Sequence, residues 1–342
     1  MEAKKKLKKS LGLFDVYAIC TGAMFSSGFF LLPGLAAAQT GPSVGIAYLI
    51  AGILMLPAMF SMAELATAMP RAGGDYFFLD RAMGPLVGTV GGIGTYLALA
   101  LKSAFALIGM GAYLALFVEI GDIRPVAVGL AIVFTILNIV GAKESTGIQR
   151  ILVSVLVAVM GLFVVSGLVM VGSGNVAIPE DSVPFFAGGF GGLLGTVGFV
   201  FVSYAGLTKI ASVSEEVVNP GRNIPLGMIL SIVSTTIIYV IGITVMSTLL
   251  PSSVFQDSLT PVADAAEPAL GYLPGQLGVI LVVASAVAAF ASTGNAGILA
   301  ASRYPLAMGR DKLLPARFAK LSGRGTPLFS ILFTSGLMIF AI

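Results

Sequence analysis

Histidine is absent from the 342 residues, tryptophan is absent too, and cysteine occurs once. Without histidine there is no imidazole proton relay and no His-ligated metal. With Cys20 alone there is no disulfide within the chain and no thiolate metal site. Nucleophile–histidine triads and zinc chemistry are therefore excluded, and any aromatic belt at a membrane interface rests on tyrosine. Charge is scarce as well. Asp, Glu, Lys and Arg make up 10% of the chain, where a soluble domain carries about 25%. So few polar residues cannot cover a soluble fold of this size, which excludes a soluble enzyme, a nucleic-acid binder and a disordered chain.

Apolar residues are plentiful, at 57% of the chain, and they cluster. Nine apolar segments approach or exceed the roughly 20 residues needed to cross a bilayer. They run near 13–39, 43–68, 84–118, 124–142, 147–172, 188–214, 224–250, 275–303 and 327–342. The pattern predicts an all-α polytopic membrane protein. The basic run Lys4–Lys9 leads into an apolar stretch too long for a signal-peptide core, so it reads as an uncleaved first span with a cytoplasmic start. The alternating loops agree. Sixteen of the 19 basic residues fall on the side of the N-terminus and one, Arg124, on the other. The outer loops carry Glu119, Asp122, Glu180, Asp181, Asp257, Asp264 and Glu267. That bias predicts a cytoplasmic N-terminus.

Two segments break the helical rule in matching places. The first contains Thr21-Gly-Ala-Met-Phe-Ser-Ser-Gly28, then Pro33-Gly34; the sixth contains Gly198, Ser203-Tyr-Ala-Gly206 and Thr208. Small residues also serve close helix packing. Interruptions five spans apart instead suggest two unwound helices and an inverted repeat with a site at the midplane. An unwound stretch leaves N–H groups at the start of the next half-helix without partners, which suits a carboxylate. The carbonyls that end the preceding half-helix suit an ammonium or a small cation. A zwitterionic α-amino acid offers both charges.

Four stretches carry a family likeness. Gly22-Ala-Met-Phe-Ser-Ser-Gly28-Phe-Phe resembles the first-helix signature of the amino acid–polyamine–organocation (APC) transporters. Met62-Ala-Glu-Leu-Ala-Thr-Ala-Met-Pro-Arg-Ala-Gly-Gly-Asp-Tyr76 resembles their second helix and inner loop. Ser203-Tyr-Ala-Gly-Leu-Thr-Lys through Glu215-Glu-Val-Val-Asn-Pro-Gly-Arg-Asn-Ile-Pro225 resembles the sixth helix and its exit loop. Ala301-Ser-Arg-Tyr-Pro through Pro315 resembles the loop after helix eight. The resemblance implies an amino acid permease of LeuT-type fold, with a five-plus-five inverted repeat and alternating access. It divides the chain into a cytoplasmic segment 1–12, a first repeat 13–172, an outer loop 173–187 and an incomplete second repeat 188–342. A tenth helix is then missing, so the chain reads as a fragment of a longer protein cut within helix nine.

Aligned on Gly28 and Gly206, the resemblance puts the substrate carboxylate on the N–H groups of Ser27 and Gly28, and the ammonium on carbonyls of Met24, Val202 and Ala205. Ser26 stands where the family usually has Gly. Thr208 replaces a frequent acidic residue, which removes one partner for a cationic substrate. Phe201 and Tyr204 are placed to close over the ligand. The expected substrate is a neutral amino acid.

Coupling has two candidates. Lys102 sits in mid-span, too deep for easy snorkelling, where an ionisable residue is costly and reads as functional. Lys209 lies nearer the inner end of its span, where snorkelling or pairing explains it. Proton-coupled relatives often place a lysine in helix five, but the matching position here is Leu156. The alternative is Na⁺, held by first-helix carbonyls and the hydroxyls of Ser292 and Thr293. Glu64 and the Pro70–Tyr76 turn read as ordering the inner mouth, Glu215 and Glu216 as a solvated helix end with a share in the inner gate, and 251–274 as a lid over an outer vestibule.

The expected function is secondary active transport of an amino acid, proton-coupled and in the plasma membrane, without cofactor, catalytic residue or resident metal. The alternatives are a Na⁺-coupled or exchange transporter of the same fold, or a sensor that binds without flux. A channel would need a ring of charges or a filter-like run, and neither is present. The partners implied are the amino acid, a proton or Na⁺, and the lipid bilayer.

Overall fold

The computed structural model describes residues 7–118, 121–173 and 183–342. Lys4, Lys5 and Lys6 of the basic run, the outer-loop acids Glu119, Glu180 and Asp181, and most of the 173–187 loop lie outside the described residues. Among the described residues there is no strand beyond one isolated bridge between Leu11 and Val217, and the protein is an all-α polytopic membrane protein. Six helical stretches are long and apolar enough to cross a membrane, and three shorter apolar helices, Leu13–Met24, Arg124–Val140 and Leu328–Ala341, accompany them.

Each of the nine predicted segments is helical, and the differences lie at the interruptions. The first is built from α1 (Leu13–Met24), one turn α2 (Ser27–Phe30) and α3 (Leu32–Thr40). The second and third are α4 (Val44–Ala68) and, after the inner-loop helix α5 (Asp75–Met83), α6 (Pro85–Leu114). Then follow α7 (Arg124–Val140) and α8 (Ala142–Gly172). The sixth is α9 (Gly189–Phe201), a 3₁₀ stretch Val202–Thr208 and the short α10 (Lys209–Ser212). The seventh is α11 (Pro220–Leu249); two outer helices, α12 (Ser252–Asp257) and α13 (Pro261–Ala269), occupy the loop read as a lid. The eighth is α14 (Leu277–Ala301), continued past Ser302 by α15 (Arg303–Arg310), and the ninth is α16 (Leu328–Ala341).

The two interruptions differ from the expectation. Residues 22–24 stay helical, and the first span opens only at Phe25–Ser26, with a second kink at Leu31. The sixth span does not unwind at 203–206; it tightens into a 3₁₀ helix. That tighter winding keeps local hydrogen bonds at membrane depth, where an unsatisfied peptide group is costly.

The core is laid around α14. Every residue from Ala288 to Ala301 is buried, and α14 packs against α6, α8, α7, α1 and α13. Glycine permits some of these approaches: a Cβ on Gly294 would lie 2.7 Å from the Leu107 side chain. The outer faces of α4 and α6 present Ile53, Leu54, Phe60, Leu101 and Phe105, which lipid tails cover at no hydration cost.

Candidate functional site

The two interruptions meet. A Cβ on Gly206 would collide with the carbonyl of Ala23 and come within 2.7 Å of Met24 N, so only glycine lets the 3₁₀ stretch reach the end of α1. A Cβ on Gly28 would lie 2.6 Å from Ser203 Cβ and 2.9 Å from the Tyr239 hydroxyl. Ser203 and Tyr239 therefore pack directly against Gly28.

Polar groups at the break divide into two sets. Carbonyls along the first span are taken by side chains from five other helices. Gln149 Nε2 of α8 donates to Ala18 O at 3.2 Å, and Thr293 Oγ1 of α14 to Gly22 O at 2.8 Å. Tyr239 of α11 donates to Met24 O at 2.7 Å, Tyr48 of α4 to Gly28 O at 2.7 Å, and Tyr113 of α6 to Phe30 O at 2.6 Å. Donors, by contrast, are left over. Among the described residues, no carbonyl accepts from the N–H of Ser27 or Gly28. The hydroxyls of Ser26 and Ser203 are buried without a hydrogen-bond partner. Two free N–H groups at the start of a helical turn and two orphan hydroxyls beside them form a cradle for an oxyanion.

The remaining predicted residues fall as follows. Met24 and Ser26 are fully buried at the break, but Met24 O is occupied by the Tyr239 hydroxyl in this conformation. Val202 is 49% exposed and its carbonyl accepts from Lys102 Nζ at 3.3 Å, which turns it toward α6 rather than the break. The Ala205 carbonyl accepts from Thr208 Oγ1 at 3.0 Å. Tyr204 is buried and its hydroxyl donates to Tyr48 O at 3.0 Å, so it packs in an aromatic group with Tyr48 and Tyr239. Phe201 sits at the edge of the core. Sequence reasoning missed Ser203, Tyr48, Tyr113, Tyr239 and Gln149. Isolated tyrosines in apolar runs carry no local signal, because their partners lie far away in the chain.

Ser292 and Thr293 are both fully buried, but their hydroxyls are engaged. Gln149 Nε2 donates to Ser292 Oγ at 2.5 Å, and Thr293 donates to Gly22 O. A neutral amide thus stands among the oxygens of the alternative Na⁺ site. It belongs to a buried network in which Asn295 joins Asn138, Ser145 and Gln149. Lys209 does not snorkel. It is 1% exposed and its Nζ reaches Thr293 O at 3.5 Å.

At the inner face, the loop after the sixth span is a hub. Glu215 accepts from the N–H of Leu7 at 3.2 Å and of Ala72 at 3.1 Å, and from Arg310 at 2.7 Å. Glu216 pairs with the fully buried Arg303 at 2.7 Å. Burial pushes the Glu215 carboxyl up, but Arg310 and the two N–H groups outweigh it and hold it below the ordinary glutamate range. Burial pushes Glu216 the other way, above that range, against the pull of Arg303. Glu64, in contrast, is exposed and makes no contribution to this hub. Nearby, Arg150 pairs with the buried Asp15 at 2.5 Å and anchors the start of α1 to α8. No group of three or more Asp, Glu or Cys that could hold a metal occurs among the described residues.

Comparison with known proteins bears on this site. A family profile described as amino acid permease matches residues 11–342. The chain is 29% identical to a branched-chain amino acid permease, BcaP, of Bacillus subtilis over 339 residues, covering 93% of this chain and 70% of that protein. It is 32% identical to the vacuolar cationic amino acid transporter 4 of Arabidopsis thaliana, covering 93% of this chain and 55% of that one. A methylthioribose transporter of Bacillus subtilis is 27% identical, with 93% of this chain and 70% of that protein covered. The chain thus spans between about half and 70% of the length of these relatives.

Proposed function

Since the chain belongs to the amino acid permease family, we propose that it is a secondary active transporter that moves a neutral amino acid across the membrane by alternating access, coupled to protons. The observation that carries this reading is the donor cradle at the first break: the N–H groups of Ser27 and Gly28 with the unpartnered hydroxyls of Ser26 and Ser203. It suits the carboxylate common to all amino acids. In the transport cycle Tyr239 releases Met24 O, which then accepts from the substrate ammonium. Segments 13–172 and 188–342 are inverted repeats whose first spans, α1–α3 and α9–α10, carry the two interruptions. The N-terminus is cytoplasmic and the membrane is the plasma membrane.

A neutral side chain follows from charge. Asp15 is committed to Arg150 and Glu216 to Arg303. Thr208 offers no charge, and Lys102 and Lys209 repel a cation. The relatives' names divide, branched-chain for the Bacillus permease and cationic for the Arabidopsis transporter, so the choice rests on charge. Proton rather than sodium coupling is supported by the Gln149 amide, whose N–H groups occupy Ala18 O and Ser292 Oγ, oxygens that a Na⁺ ion would have to take over. Lys102, whose Nζ meets the 3₁₀ stretch at Val202 O, is the coupling candidate.

Calorimetry with leucine, alanine, lysine and glutamate, followed by uptake into proteoliposomes, tests the reading. Leucine or alanine should bind and be taken up in a pH-dependent, Na⁺-independent manner. Preferential binding of lysine, or Na⁺-dependent uptake, would overturn the substrate or the ion respectively. Binding with no flux at any gradient would favour a sensor.

A further inference from the structure

Lys209 takes no step in the transport reading above, yet it is the most deeply buried lysine of the described residues. It is 1% exposed and opens α10, where the 3₁₀ stretch ends. Its Nζ donates to Thr293 O of α14, and the Thr293 hydroxyl donates in turn to Gly22 O of α1. One residue therefore ties the sixth span to the eighth, and through it to the break in the first. Resting on the transport reading above, we infer that Lys209 is a positioning residue: its ammonium clamps α10 to α14, and loss of its proton to water releases the two spans during transport.

The charged and titratable groups around it leave the ammonium uncompensated. Among the described residues, none of the ion pairs includes Lys209. On α6, Lys102 is close enough to repel it. On α1, Asp15 is held by Arg150, the Tyr17 hydroxyl pairs with Ser234, and the Cys20 thiol donates to Leu207 O. α14 carries no titratable residue. On α4, Tyr48 donates to Gly28 O, and Glu64 is exposed. The 3₁₀ stretch adds Tyr204, bonded to Tyr48 O, and beyond α10 Glu215 and Glu216 are committed to Arg310 and Arg303. A buried ammonium with no anion is costly, and a like charge nearby adds to the cost. The neutral amine escapes that cost but makes a weaker bond to the carbonyl than the ammonium does. The two protonation states thus favour different packings of α10 on α14, which is the differential affinity that coupling requires.

The experiment is hydrogen exchange of peptides covering 203–216 and 285–300, corrected for intrinsic rate, between about pH 6 and about pH 10. Wild type, Lys209→Arg, Lys209→Met and Lys102→Met are compared in detergent, and the uptake pH profile is taken for each. In wild type, protection should fall roughly tenfold as pH rises. Lys209→Arg, which keeps its charge, should stay protected throughout and bind substrate while transporting at least about tenfold more slowly. Lys209→Met should be poorly protected at every pH and lose the pH dependence of uptake. Lys102→Met, which removes the nearby like charge, should hold protection to a higher pH than wild type. Wild-type protection that ignores pH, or a Lys209→Arg profile that follows wild type, overturns the inference, and the wild-type and Lys209→Arg curves decide it even where Lys209→Met does not fold. The exchange readout needs no substrate, so failure of the protein to bind any amino acid would defeat the transport reading and leave the clamp standing.

Discussion

The break in the first span and the tightened stretch in the sixth solve one problem in opposite ways. In the first, the backbone opens and borrows donors from elsewhere: five side chains from five helices satisfy its carbonyls, and its spare N–H groups face a cradle. In the sixth, the backbone winds more tightly and satisfies itself through 3₁₀ bonds, with Gly206 pressed against the other break. The first interruption leaves donors without partners, as the proposed carboxylate site requires. The second is built for close approach and for repacking, because poorer 3₁₀ geometry is easier to exchange for another winding.

Substitutions can break that contrast. The largest effect is expected at Gly206. A methyl there meets backbone, which cannot rotate aside, so Gly206→Ala should lower thermal stability by about 1–3 kcal/mol and abolish substrate binding. Gly198→Ala, with open space around it, should be neutral in the same melting assay; equal losses at the two sites would show that helix propensity and not contact sets the cost.

Gly28→Ala should be gentler on the fold than Gly206→Ala, because only the backbone-fixed Ser203 Cβ at 2.6 Å must yield, while the Tyr239 hydroxyl at 2.9 Å can swing aside. Calorimetry should nonetheless record at least a tenfold loss of affinity, about 1.4 kcal/mol, since the methyl enters the cradle. Unchanged affinity would remove Ser27 and Gly28 from the carboxylate site.

Tyr239→Phe keeps the ring contacts with Phe25 and Phe29 and deletes the hydroxyl on Met24 O. A buried carbonyl left unpaired costs about 1–3 kcal/mol. If that carbonyl serves the ammonium, the variant should lose stability without substrate and recover part of it when substrate is added. Equal destabilisation with and without substrate would count against the role.

The smallest effect is at the inner hub. Glu215 has a depressed carboxyl, so its contribution to closure is present above the ordinary glutamate value and is lost as pH falls through the lower folded value. Glu216 has a raised one, so its contribution is greatest at low pH and declines as pH rises through the folded value. Hydrogen exchange at residues 7–12 should therefore loosen on acidification in wild type, and Glu215→Gln should be loose already at neutral pH. A hub that stays protected in Glu215→Gln would place the closure on Arg303 and Glu216 alone.

The amino-acid sequence by itself determined the environment and the number of apolar helical segments. Lipid demands continuous apolar runs with satisfied backbone, so hydropathy alone located all nine helical segments, and small residues marked where two would be interrupted. Their chemistry was legible only in part. Ser26, Ser27 and Gly28 stand out because glycine and serine cluster at the break. Tertiary structure decided the rest. Whether a carbonyl at the break is free or taken depends on Tyr48, Tyr113, Tyr239 and Gln149, each on another helix. The sodium reading of Ser292 and Thr293 depended on an amide 143 residues away in the chain from Ser292. Lys209 looked able to reach the interface because spacing along one helix measures depth but not what surrounds it; α14 and α1 enclose it completely. Hydropathy is a property of segments, whereas the partner of a buried polar atom is a property of the fold, and at membrane depth that partner sets its chemistry.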